Sequence, residues 1–259
     1  MSNILVTRAG GVATIALNRP ERHNAFDDVL IADLTGAFAG VGEDPEVRAV
    51  VLESAGPSFS AGADLGWMKR MAGYSHEENL RDAMALAALM QTIDRCPKPT
   101  LAVVQGAAYG GGVGLIAACD IAVASDAAVF SLSEVKLGLI PAVISPYVIA
   151  AMGERACRRY FLTAERFTAA EAHRLGLVHE IVAADGLAGA RDRILKRLFE
   201  CGPAAQAAAK DLIAAVARRP TDEAVMADTA RRIAAVRASD EGREGVGAFL
   251  EKRDPKWRS

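Results

Sequence analysis

Residues Tyr109–Asp120 read YGGGVGLIAACD, and no other stretch constrains the fold of this chain as strongly. Four of its first six residues are glycine, and five residues suited to a buried helix follow directly. Glycine costs backbone entropy wherever it is held fixed, so such a run belongs where a backbone must approach something closely. Just upstream, TLAVVQG (Thr100–Gly106) is an apolar, β-branched run that fits a strand buried on both faces. Strand, glycine turn and buried helix together predict an α/β architecture.

The rest of the first two-thirds repeats that alternation. ILVTRAGGVATIALN predicts two strands joined by Gly10-Gly11, a good hairpin dipeptide. Asp27–Val41 predicts a helix, and VRAVVLES (Val47–Ser54) and DIAVAS (Asp120–Ser125) predict further buried strands. Ser75 and Glu78 form a capping box for a helix over His76–Arg95, whose Leu80, Met84, Ala87, Met90 and Ile93 recur at helical spacing and are expected in the core. Thr168 and Glu171 open a shorter helix that Gly176 ends. Ser145-Pro146 reads as an N-cap and first helical residue. Beyond Asp185 the chain is Ala- and Arg-rich and helical, with no convincing strand. The expected organisation is an α/β core over residues 1–200 and a helical tail over 201–259, whose helices pack on each other or on a neighbouring subunit.

Composition narrows the function. Thirty basic and 32 acidic side chains leave a formal charge of −2, which argues against a nucleic-acid protein. Cys96, Cys119, Cys157 and Cys201 lack close pairing, as expected of reduced thiols in a cytoplasmic protein. The beginning MSNILVTRAGG has no basic leader and predicts no signal peptide, and no apolar run approaches the roughly 20 residues of a membrane span.

Three chemistries compete for the glycine run. Gly112–Ala117 fits G-x-G-x-x-A, but the run does not follow its strand immediately and no suitably spaced acid ends the next one, so a dinucleotide loop is weak. No Lys-Ser or Lys-Thr follows the glycines, so a phosphate-binding P-loop is absent. GPSFSAG (Gly56–Gly62) misses the G-x-S-x-G nucleophile elbow, and His23, His76, His173 and His179 show no metal spacing. The third reading pairs SFSAGADL (Ser58–Leu65) with YGGGVGL. Both are small-residue turns that follow predicted strands and enter helices, where backbone N–H groups lack partners. Two such turns at neighbouring strand ends could bring two donors onto one oxyanion, with no metal or separate cofactor.

AGADL (Ala61–Leu65), GGGVGLIAACD (Gly110–Asp120) and FSLSEVKLGLIP (Phe130–Pro141) together resemble the crotonase family of enoyl-CoA hydratases and isomerases. LNRPERHNAF (Leu17–Phe26) is similar to the family's early CoA-binding loop, and FLEKRDPKW (Phe249–Trp257) to its C-terminal signature. The resemblance implies a ClpP-like α/β fold of repeated ββα units with a C-terminal helical trimerisation region, assembling as a homotrimer or a dimer of trimers. It implies an acyl-CoA thioester substrate, coenzyme A being part of the substrate and no other cofactor or metal being needed. It also implies an oxyanion hole from the amides of Ala61 and Gly111, beside Gly110. Glu134 would handle the proton at the reacting carbon, and the Ala142 amide would help hold water. Coenzyme A would meet Arg22, Ala25, Ala63, Asp64 and Leu65, and Phe249 and Lys252 from a neighbour's tail.

One departure matters. The resemblance places a water-activating glutamate where this chain has Gly114. Glu134 would then serve alone, or the hydroxyl of Tyr109 or Ser133 would orient the water, or the enzyme would be an isomerase that shuttles one proton between carbons. ADLGWM (Ala63–Met68) and SEVKLGLIPAVISPYV (Ser133–Val148) look most like the bacterial methylglutaconyl-CoA hydratase branch, which implies a branched, carboxylated enoyl-CoA of leucine degradation. Lys69, Arg70 or Lys136 could meet its second carboxylate. Alternatives are an enoyl-CoA isomerase and an acyl-CoA- or RNA-binding relative without catalysis.

Overall fold

The computed structural model describes residues 2–258. Gly10 and Gly11, both at positive φ, turn β1 (Ile4–Ala9) antiparallel onto β2 (Val12–Leu17) as the hairpin reading expects. Helix α1 (Asp28–Glu43) is capped by the Asp27 side chain, which accepts from the Leu30 amide. From there the chain repeats one pattern three times. In the first turn, β3 (Ala49–Ser54) is followed by the short β4 (Ser58–Ala61) and by α2 (Leu65–Met71) and α3 (His76–Asp94). In the second, β5 (Thr100–Val104) is followed by β6 (Ala107–Tyr109) and α4 (Gly111–Ala118). In the third, β7 (Ile121–Ser125) leads to β8 (Val129–Ser131), a 3-10 turn over Glu134–Leu137, α5 (Ser145–Met152) and α6 (Glu154–Thr163).

Strands β9 (Phe167–Thr168), helix α7 (Ala169–Leu175) and β10 (Glu180–Val182) close this unit. One sheet has the order β1-β2-β3-β5-β7-β10 and the other β4-β6-β8-β9, with β3, β5 and β7, like β4, β6 and β8, paired in parallel. Between successive turns the backbones nearly touch. A Cβ on Gly112 would lie 2.4 Å from the Ser60 carbonyl oxygen, so this glycine exists for packing of α4 on β4. That contact, within the protein, is what the G-x-G-x-x-A spacing reflects; it does not cradle a pyrophosphate.

The core includes Ile15, Leu17, Leu30, Leu34, Phe38, Leu52, Phe59, Met90, Ile93 and Phe130, all essentially inaccessible. The capping box of α3 forms as expected, but its apolar stripe is only half buried. Leu89, Met90 and Ile93 are in the core, whereas Leu80 and Met84 are 55% and 60% exposed. Ser145 caps nothing: Ile144 stands at the N-cap of α5, and the Ser145 hydroxyl donates to the Ala142 carbonyl.

The chain divides into two compact units, the first running up to Cys96 and over Thr100–Asp192, the second comprising Pro97–Pro99 and the chain from Arg193 onward. Helix α8 (Leu187–Phe199) precedes α9 (Pro203–Val216), α10 (Glu223–Ala238) and α11 (Asp240–Glu251). Within the second unit, Glu241 accepts the Ala204 and Ala205 amides, satisfying the free N–H groups at the start of α9. Ile213, Met226, Val246, Phe249 and Leu250 are exposed there. Among the described residues no helix is long and apolar enough to cross a membrane.

Candidate active site

The turn after β4 is shaped by hydrogen-bond direction. The Ala61 amide donates to the His23 carbonyl at 2.9 Å. It is therefore occupied, and the expectation that it serves an oxyanion is corrected. Two residues on, Phe26 donates to the Gly62 carbonyl at 2.9 Å and accepts from the Asp64 amide at 2.7 Å, making Phe26 and Ala63 a parallel bridge. In that pattern the intervening residue turns its own N–H away from the partner strand. The Ala63 amide accordingly has no acceptor among the described residues, and Ala63 lines the cavity described below.

On the neighbouring turn, Gly110 continues β6 by donating to the Ser131 carbonyl at 2.9 Å. It holds φ 52° and ψ −117°, a conformation that excludes side chains. Gly111 then opens α4, where its amide lacks an intrahelical acceptor. A Cβ on Gly111 would meet the Phe26 ring at 3.1 Å, so a protein side chain already presses on this position.

The third turn supplies Glu134, the first residue of the 3-10 helix after β8. Its Oε1 would stand 3.1 Å from a Cβ on Gly110, and its Oε2 is buried with no hydrogen-bond partner among the described residues. Burial pushes the carboxyl above its ordinary pKa, and a bond from its own backbone amide opposes this only in part.

Ala63, Gly110, Gly111, Ser133, Glu134 and Ala142 share one cavity of about 660 Å³. Apolar residues form most of its remaining wall: Phe26, Trp67, Met68, Met71, Leu86 and the loop Leu137–Ile144. Among the described residues no lysine or arginine lines it, and Lys69, Arg70 and Lys136 stay exposed outside the lining. Asp82 does line it, a second acid that sequence reasoning did not single out.

Several expected residues take other roles. The Ala142 amide donates to the Ile140 carbonyl at 2.8 Å across Pro141, so it is not free to hold water. Tyr109 lies outside the cavity lining with the Arg166 guanidinium over its ring at 5.5 Å, which corrects its expected role with the water. Gly114 is closed: a Cβ there would fall 2.2 Å from Ile144 Cγ2. No side chain of any kind, glutamate included, fits without displacing Ile144. Asp64 caps α2 through the Gly66 and Trp67 amides and pairs with Arg22 at 3.0 Å and the buried Arg19 at 3.5 Å. Burial would raise its carboxyl, but the bonds from Trp67, Arg22 and Gly66 together hold it below the usual aspartate value. Ala25 is buried outside the cavity, with its carbonyl accepting from Arg19, while Leu65 is exposed. Phe249 and Lys252 belong to the second unit.

Fold and cavity define an α/β protein of stacked ββα turns, with a largely buried carboxyl in the same cavity lining as Ala63 and Gly111, whose amides have no acceptor among the described residues. The sequence matches the enoyl-CoA hydratase/isomerase family over residues 7–259. An enoyl-CoA hydratase from Shewanella pealeana superimposes with a TM-score of 0.97 at 46% identity, covering 99% of this chain and 96% of that one. Pseudomonas aeruginosa AtuE superimposes with a TM-score of 0.95 at 37% identity over all of both chains. The enoyl-CoA hydratase ACTT6 of Alternaria alternata is 36% identical over 247 residues, 94% of this chain and 80% of its own. The chain thus belongs to the enoyl-CoA hydratase/isomerase family and is an enzyme of this kind, with the crotonase fold.

Proposed function

We propose that the protein hydrates an α,β-unsaturated acyl-CoA with Glu134 as its only proton-transferring carboxyl. The observation that carries this reading is the buried Glu134 Oε2, without a hydrogen-bond partner among the described residues, beside the Gly110–Gly111 turn in a cavity that Ala63 also lines. The thioester oxygen accepts the Ala63 and Gly111 N–H groups. Ionised Glu134 takes a proton from water as the oxygen of that water bonds to Cβ. The electron pair of the double bond moves through Cα to the thioester oxygen and is held there as an enolate. Glu134 then returns the proton to Cα, and the net change is addition of one water. A carboxyl with a raised pKa suits both halves of this exchange, because it binds the proton firmly enough to take it and loosely enough to give it back.

Closure of Gly114 by Ile144 supports a one-carboxyl mechanism over the two-glutamate form. The same observation favours a second reading, isomerisation, in which Glu134 carries a proton between Cα and Cγ. The wall of the cavity favours an uncharged acyl group. Methylglutaconyl-CoA, the substrate to which motif likeness points, would find no counter-charge in this chain's lining. Arg22, with its guanidinium half-exposed, and the exposed Leu65 stand as contacts for coenzyme A, with Phe249 and Lys252 contributed by a neighbour in a trimer.

The test is a panel of 2-enoyl- and 3-enoyl-CoA thioesters, followed by loss of conjugated absorbance and by product analysis. Hydroxyacyl-CoA from the 2-enoyl substrates supports the hydratase. Conversion of 3-enoyl to 2-enoyl thioesters without water addition would replace it with the isomerase.

A further inference from the structure

Asp82 is the second carboxyl of the cavity, and nothing in the proposed hydration uses it. It lies on α3, half-buried, with Asn79, Ala83 and Leu86 of the same helix also lining the cavity. Its Oδ1 accepts a hydrogen bond from Trp67 Nε1 at 3.1 Å, and Trp67 is itself only 6% exposed, so the carboxylate is held by a rigid, buried ring. Among the described residues no cation pairs with it. Arg70, whose charge acts on Asp82, forms its ion pair with Asp28 at 2.6 Å.

The charge has no packing role of its own. The amide oxygen of an asparagine would accept the Trp67 N–H as well, so the bond to Trp67 does not require an acid. A partly dehydrated anion without a paired cation costs stability in a largely apolar wall. What the negative charge does change is the field inside the cavity, where the effective dielectric constant is far below that of water.

We propose that Asp82 acts as a charge filter on the acyl group, excluding acyl-CoA thioesters that carry a second carboxylate and leaving the site to uncharged acyl chains. This specificity role rests on the reading of the cavity as the acyl-CoA site. It follows from the geometry: the lining offers no lysine or arginine to neutralise a second carboxylate, and offers a fixed anion to oppose one. Burial also raises the Asp82 pKa, with the Trp67 bond lowering it, the Asp28 carboxylate adding to the rise and Arg70 opposing.

The test compares two pairs of thioesters that differ only by that carboxylate. For turnover they are 3-methylcrotonyl-CoA and 3-methylglutaconyl-CoA, and for binding without turnover they are isovaleryl-CoA and 3-methylglutaryl-CoA, measured by calorimetry on the full-length protein. Wild type is expected to prefer the uncharged member of each pair. Asp82→Asn, which keeps the acceptor for Trp67, is expected to move the charged-to-uncharged ratio of kcat/KM and of affinity toward the carboxylated member by on the order of 10- to 100-fold. Asp82→Ser, which loses the bond to Trp67 as well, is expected to move it in the same direction. A ratio that stays within about threefold of wild type in both variants overturns the filter. So does a wild-type preference for the carboxylated pair. If wild type neither binds nor converts any of the four thioesters, the acyl-CoA reading falls and the filter with it, an outcome distinct from an unchanged ratio.

Discussion

Gly114→Ala is the smallest change that tests why this site has a single glutamate. The added Cβ would lie 2.2 Å from Ile144 Cγ2 and 2.9 Å from Ile144 Cβ, with Met90 Cε at 3.4 Å. Carbon atoms settle at about 3.5–4.0 Å, so the nearest contact overlaps by more than 1 Å. Both positions are buried and cannot relax into solvent. Overpacking of this kind costs about 1–3 kcal/mol, and the depth of overlap places this case near 3. For a chain of this size that corresponds to a fall in Tm of about 6–12 °C. Ile144→Ala alone should cost about 2–5 kcal/mol through the cavity it leaves. The double variant removes the Cγ2 that Gly114→Ala strikes, so it should be more stable than the sum of the singles by at least about 1 kcal/mol. Urea and thermal unfolding at one fixed protein concentration measure all four corners, since assembly would otherwise shift apparent stability. Additive losses, or a Gly114→Ala protein with wild-type Tm, would refute the claim that Ile144 occupies the place of the missing carboxyl.

Three further outcomes are expected. Glu134→Gln should lower kcat/KM by about 10²- to 10⁴-fold, as loss of a general acid–base does. The same variant should gain stability at neutral pH. The folded-state pKa of Glu134 is raised, so the carboxyl's favourable contribution is complete below the ordinary value of 4.5 and is lost as pH rises through the folded value. The advantage of Gln in Tm should therefore be present at pH 7 and absent below about pH 4.5; equal Tm at both would contradict the buried carboxyl. Asn24→Ala should cost about 3 kcal/mol or more, because Asn24 accepts from the Arg19 amide and donates to the Ala55 and Ser58 carbonyls while holding φ 54°. An unchanged midpoint in urea would remove it from the architecture of the first loop. The exposed apolar residues of α9–α11 should bring three chains together, and a monomeric mass in light scattering would rule out the trimer.

The central strands of the larger sheet were legible as buried β-branched runs such as AVVLES and TLAVV, and β1–β2 through Gly10-Gly11, whereas the three-residue β10 was not. The smaller sheet was not. Its strands have two to four residues, too few for any alternation to register, so SFSA read as part of a turn and AAY gave no strand signal. Helical spacing located α3 but could not tell which of its apolar residues meet the core, since Leu80 and Met90 look alike in sequence and differ entirely in burial. The site divides in the same way. Glu134 and the two glycine-containing turns stood out through their motifs, whereas the direction of each amide depends on pairing across the chain. His23 takes the Ala61 N–H, Ile140 takes that of Ala142, and the bridge to Phe26 leaves that of Ala63 over. Asp82 gave no local signal at all, because its position depends on Trp67 from a different helix.

The threefold repetition of strand, strand and helix has a consequence for how this chemistry can change. Ala63, Gly111 and Glu134 each follow a strand of the smaller sheet, one per turn: β4, β6 and β8. Each group can therefore be replaced, or its supporting segment lengthened, within its own coil while the other two keep their anchorage. Such a spiral behaves like a combination lock with independent wheels. In the proposed one-carboxyl reading, Gly114 packed against Ile144 is one setting of the second wheel.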